Sequence, residues 1–191
     1  KQLNAQLCEA AKEGDNSAVR KLLTQGAELN HISPKYGASP LYIASHFNKV
    51  TTVRLLTAKG ADLESAIEDG STPIYTSAFN CFSDITKILL GKGADIEKEV
   101  KSEDILVTPL RAAASQGCVK DYKLLSDAGA SLHLEKGYTS DIISSAKNHA
   151  NDSPEHKEIE NLVMRDYFKW LKTALSDIKK NLKYDPSKSF E

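Results

Sequence analysis

Long apolar runs are missing from this 191-residue chain. Nowhere do the ~18–20 consecutive apolar residues needed to cross a bilayer occur. Net charge is nearly absent as well, because 25 Lys and Arg face 26 Asp and Glu. Such a balance gives no electrostatic reason to expect nucleic acid or an anionic membrane as an obligatory partner. Cysteine is scarce: Cys8, Cys81 and Cys118 lie far apart and form no C-x-x-C pair. That usage suits a reducing compartment better than a disulfide framework, so a cytoplasmic location is expected. His31, His46, His133, His149 and His156 show no metal-ligand spacing, and neither a metal nor a cofactor is expected. No Gly-rich phosphate loop, G-x-S-x-G elbow or paired-acid arrangement stands out. No catalytic residue is assigned, and the chain is not read as an enzyme.

What the sequence does have is a beat. Gly-Ala recurs at Gly26-Ala27, Gly60-Ala61, Gly93-Ala94 and Gly129-Ala130, in steps of 34, 33 and 36 residues. Four residues before each glycine stands a leucine: Leu22, Leu56, Leu89 and Leu125. A hydroxyl residue followed by proline keeps the same interval, as Ser39-Pro40, Thr72-Pro73 and Thr108-Pro109. The hydroxyls are suited to cap a helix, and proline is preset for its first turn. Glycine is suited to end a helix in the left-handed conformation. Two short amphipathic helices fit between these signals, for example over 40–47 and 50–59. A polar loop such as ADLESAIEDGS follows. The unit is helix, turn, helix, projecting loop.

A unit of about 33 residues carrying hydroxyl-Pro-Leu-x-x-Ala and Leu-x-x-x-Gly-Ala resembles the ankyrin repeat. The resemblance implies an all-α solenoid over 1–150, with repeats near 3–35, 36–68, 69–104 and 105–136. A degenerate fifth repeat from 137, with TSDIISSA at Thr139, would complete it. Stacked helix pairs share one core, expected to contain Leu41, Ala44, Val53, Leu56, Ile74, Ile85, Leu89, Leu110, Ala113 and Leu125. The histidine that follows Thr-Pro-Leu in the family is replaced here by Cys8, Tyr42, Tyr75 and Arg111. Either tyrosine hydroxyls rebuild its brace or the repeats are less stable than consensus. The third loop, DIEKEVKSEDILV, is stretched and carries five acids against two lysines.

The resemblance also implies a protein partner held on the concave side. The groove-facing pairs would be Lys12-Glu13, His46-Phe47, Phe79-Asn80 and Ser115-Gln116. Phe47 and Phe79 are unusual in a solvent-facing column, and aromatic anchors rimmed by polar groups mark binding hot spots. Tyr36, beside His31 and Lys35, and Ile67 at the next tip form a second expected cluster, with the longer first loop pushing Tyr36 outward. Candidate partner-binding residues are thus Tyr36, His46, Phe47, Ile67, Phe79, Asn80, Ser115 and Gln116. The alternative packing role has Phe47 and Phe79 leaning between neighbouring helices.

Ser153-Pro154-Glu155 signals a helix start and Pro186 a stop. Between them Ile159, Leu162, Val163, Tyr167, Trp170, Leu171, Ala174, Leu175, Ile178 and Leu182 recur at helical spacing. Arg165, Lys169, Lys172, Lys179, Lys180 and Lys183 fall opposite. Residues 151–184 are expected to cap the open end of the stack, with a polar tail over 185–191. Peripheral contact of this basic face with an anionic membrane is a secondary expectation. The chain is read as a monomeric, non-catalytic interaction module. The alternative is a targeting arm of a larger enzyme or of an effector secreted into a host-cell cytoplasm, motivated by a first residue, Lys1, that is not Met.

Overall fold

A computed structural model describes residues 2–102, 105–132 and 154–181. The expected fifth repeat, His133, His149, Leu182, Lys183 and the tail lie outside them. Four helix pairs follow one another: α1 (Gln2–Glu13) and α2 (Asn16–Thr24), α3 (Pro40–His46) and α4 (Val50–Ala58), α5 (Pro73–Phe79) and α6 (Ser83–Gly91), α7 (Pro109–Ser115) and α8 (Val119–Asp127). A longer helix, α9, spans Pro154–Asn181. The inner helices pack in the order α1, α3, α5, α7, and the outer ones α2, α4, α6, α8. Every residue expected in the core is buried, and one continuous cluster runs from Leu7 to Val163.

The repeated letters have visible jobs. Ser39, Thr72 and Thr108 accept the backbone N–H of Tyr42, Tyr75 and Arg111, closing the first turns of α3, α5 and α7. At each outer helix end the alanine N–H donates back to the leucine carbonyl: Ala27 to Leu22, Ala61 to Leu56, Ala94 to Leu89 and Ala130 to Leu125, at 3.0–3.1 Å. Gly26, Gly60, Gly93 and Gly129 supply the left-handed residue that this bond requires. A ladder then joins successive loops at their bases. Asn4 Oδ1 accepts Glu28 N–H, Asn30 Oδ1 accepts Asp62 N–H, Glu64 Oε1 accepts Asp95 N–H, and Glu97 Oε1 accepts Ser131 N–H, at 2.7–2.9 Å.

One feature was not anticipated and one expectation needs correction. The stretched third loop carries a hairpin: β1 (Val100–Ser102) pairs antiparallel with β2 (Ile105–Val107), in the register Val100 to Val107. Val100 is buried, and Arg111 Nη1 donates to the Leu106 carbonyl at 2.6 Å, which ties this hairpin to α7. The fold is therefore a helical solenoid carrying one small hairpin. Cys81 and Cys118, expected as separate thiols, form a disulfide across Cα atoms 5.0 Å apart. Cys81 sits in the turn between α5 and α6, and Cys118 stands just before α8, so the bond ties the third helix pair to the fourth.

Helix α9 docks on α8 through its first half, where Ile159, Leu162 and Val163 are buried. Tyr122 and Ser126 of α8 donate to Asp166 Oδ2 at 2.9 and 3.0 Å, and Lys123 pairs with Glu158. The apolar stripe is not covered throughout, because Phe168, Leu175 and Ile178 are about half exposed. Among the described residues no helix is long and apolar enough to cross a membrane.

Candidate functional site: an aromatic concave face

Helices α3, α5 and α7 have seven residues each, and the last turn of each leads directly into the tight turn before its outer helix. Phe47 directly follows α3, and Phe79 ends α5. They are 39% and 40% exposed, well above the neighbouring Ala44 and Ala78 at 0%. Each ring has an aromatic neighbour. His46 meets Phe47 edge-on at 5.1 Å, Tyr42 stacks on His46 at 6.2 Å, and Tyr75 stacks on Phe79 at 6.2 Å.

Tyr36 is not pushed outward. Its ring packs with Ile67 against Cys8, Ala38, Tyr42 and Ile43, and its hydroxyl donates to the Glu9 carboxylate at 3.0 Å. The first loop closes on itself through a bridge between Ser33 and Ala38, which turns Tyr36 back towards α1. Lys35 Nζ also reaches Glu9, at 2.7 Å. Lys35 first, then Tyr36, holds the Glu9 carboxyl below the usual range. Lys12 Nζ stands 5.6 Å from the Tyr36 ring centre and 5.3 Å from that of Phe47. Contacts of this kind at exposed sites contribute about 0.5–1 kcal/mol each.

The rings line two neighbouring cavities. One, of about 230 Å³, gathers Tyr36, His46, Phe47 and Ile67. The other, of about 340 Å³, gathers His46, Phe79 and Asn80 with Tyr42, Tyr75, Asp69 and Lys101. His46 Nδ1 lies 3.3 Å from Thr76 Oγ1, and Asn80 Nδ2 donates to the Thr76 carbonyl at 2.8 Å. Ser115 and Gln116 belong to neither cavity. Ser115 donates to the Ala112 carbonyl at 2.9 Å, and Gln116 reaches Ser115 at 3.4 Å.

Sequence reasoning missed Tyr42, Tyr75 and Asp69. The signal was present in the two tyrosines at the family's histidine position. Their hydroxyls do not reach back to brace Ser39 or Thr72, whose oxygens receive backbone N–H groups. Burial raises the Tyr42 phenol despite a bond to Thr76, and Asp69 adds to the rise. Burial also raises Tyr75, again with Asp69 contributing. At the first repeat burial pushes the Cys8 thiol up to about 11, even with a hydrogen bond from Ser33, which leaves it protonated and unreactive. Among the described residues no three His, Cys, Asp or Glu side chains are grouped to hold a metal ion.

Serial packing of equivalent helix pairs around one shared core defines a solenoid repeat protein. Residues 7–100 match the family described as ankyrin repeats (3 copies), and over that stretch the chain is a stack of ankyrin repeats. It is 28% identical over 143 residues to an ankyrin repeat and KH domain-containing protein of Caenorhabditis briggsae, covering 74% of this chain and 5% of that one. An ankyrin repeat protein of fowlpox virus is 37% identical over 62 residues, 32% of this chain and 15% of the viral one. The ARF GTPase-activating protein GIT2 of Mus musculus is 32% identical over 72 residues, 38% of this chain and 10% of that protein. The chain thus spans only 5% to 15% of the length of these relatives.

Proposed function

We propose that the concave face is a docking surface for a partner protein, with Phe47, Phe79 and Tyr36 as its anchors and no reaction performed by these residues. The observation that carries this reading is the pair of half-exposed phenylalanines on successive repeats, each backed by another ring. Rings already held by neighbours lose little freedom on binding, so the area they offer converts efficiently into affinity. The polar Ser115 and Gln116 form a rim at the far end of the same face.

Cross-linking capture from a cell lysate tests the reading, comparing the wild type with a folded Phe47→Ala/Phe79→Ala variant. A protein recovered by the wild type should be lost by the variant, since truncating an anchor costs about 2–4 kcal/mol. Equal recovery by both would move the docking site away from this face.

A second reading is favoured by the short share of each relative that the chain spans. Here the repeats are the interaction arm of a longer protein whose activity resides elsewhere, and one relative of this kind is an ARF GTPase-activating protein. Sequencing the complete reading frame tests it: further globular sequence is expected, and its absence on both sides would end this reading.

A further inference from the structure

The larger of the two cavities has a chemistry that its neighbour lacks. Its walls are the rings of Tyr42, His46, Tyr75 and Phe79, and at its rim stands Asp69. One Asp69 oxygen accepts the Ser71 N–H at 2.7 Å. Among the described residues no lysine or arginine pairs with this carboxylate. Asp69 lines the same cavity as both phenols and disfavours their ionisation.

The loops on either side carry the same sign. The second loop, from Ala61 to Thr72, holds Asp62, Glu64, Glu68 and Asp69 and no base. The third, from Ala94 to Val107, holds five acids against Lys98 and Lys101. The first loop, from Ala27 to Ala38, balances Glu28 with Lys35. The uncompensated acids among the described residues of these loops are therefore those of the second loop, which supplies Asp69 to this cavity. Ring faces and a carboxylate together favour a cation, the rings through their quadrupoles and the carboxylate by direct pairing. Lys101 lines the same cavity and would favour an anion instead.

Building on the proposed docking surface, we infer that the cleft between Tyr42, Tyr75, Phe79 and Asp69 receives a basic side chain, lysine or arginine, of the partner protein. The neighbouring cavity beside Phe47 then takes an apolar side chain of the same segment, because its lining carries no charge of its own. Recognition would read a basic and an apolar residue a few positions apart.

A displayed library of random twelve-residue peptides, panned against the full chain at low salt, tests this. The wild type should enrich peptides with one fixed Lys or Arg beside an apolar position. Asp69→Asn keeps an oxygen for the Ser71 N–H and removes only the charge. It should weaken such peptides roughly 3- to 10-fold and abolish the basic preference, while apolar selection survives. Phe47→Ala should do the reverse. Apolar enrichment without a basic position, or acidic enrichment through Lys101, would overturn this inference and leave the docking surface standing. No enrichment by any of the three proteins would overturn both.

Discussion

Asp121 occupies a position in α8 where equivalent helices carry Ala18, Thr52 and Ile85. It is 1% exposed, and its carboxylate accepts Thr86 Oγ1 at 2.6 Å, with Ser77 Oγ 2.9 Å from the same hydroxyl. Burial pushes this carboxyl up to about 6, against the opposing pull of Thr86. The folded chain therefore holds the proton more tightly than the unfolded chain, which releases it near the ordinary value of about 4. Stability should fall as pH rises from about 4 to 6 and then level off. Asp121→Asn keeps the acceptor and removes the charge. Urea unfolding should find the variant about 1–3 kcal/mol more stable at pH 7.5 and no different at pH 4. A wild-type stability that is flat across this window would contradict the argument.

The elements divide into those whose letters announce them and one whose role depends on a neighbour. Hydroxyl-Pro marks three inner helices and Leu-x-x-x-Gly-Ala four outer ones, because each letter satisfies a backbone group within its own repeat. The hairpin escaped notice because Val100 and Val107 pair across a stretch rich in acids, where the turn carries no Asn-Gly or Asp-Gly signal. Tyr36 was misdirected because loop length says nothing of the Glu9 hydroxyl acceptor waiting on α1. The disulfide was legible in principle: Cys81 shares its phase with Gly14, Asn48 and Gly117, and Cys118 is one step on, so the two are stacked neighbours. All four of those phased residues are left-handed, at φ between 54° and 82°.

Helix α9 illustrates dependence on a neighbour. Burial alone would raise the Asp166 carboxyl, but Arg165, Tyr122 and Ser126 donate to it and bring it below its ordinary value. The contact is fully present above about pH 4 and is lost as pH falls through the lowered value. Trp170, the single tryptophan, lines a cavity with Ser126 and Leu132 and reports on docking. Acidification should shift its emission to longer wavelength before the repeats lose helicity. In Asp166→Ala the shifted emission should already be present at neutral pH. Simultaneous loss of both signals in the wild type would show that α9 and the repeats unfold as one.

At the scale of the molecule, the stack relies on contacts between neighbours, and the disulfide reinforces one junction. It closes a loop of 37 residues, for which chain-entropy arguments give about 2–4 kcal/mol. Reduction should lower the stability of the third and fourth helix pairs by that amount in a urea titration. Cys118→Ala should lose as much. Cys81→Gly should lose about 1 kcal/mol less, because glycine accepts the left-handed turn that cysteine resists. Identical losses for the two variants would remove backbone strain from the account.

The ladder of loop-base hydrogen bonds has a consequence for variation. The first rung starts from Asn4 in α1, and the other three use a residue near the start of a loop, Asn30, Glu64 or Glu97, with the next loop's second residue after glycine. The tips lie beyond the rungs, and the third loop fits its extra hairpin there without displacing the Glu97 rung. Tips are thus interchangeable cartridges on a fixed rail. A foreign sequence inserted between Glu68 and Asp69, which leaves the Ile67 contact in place, would change what the surface recognises while leaving the pitch of the stack as it is.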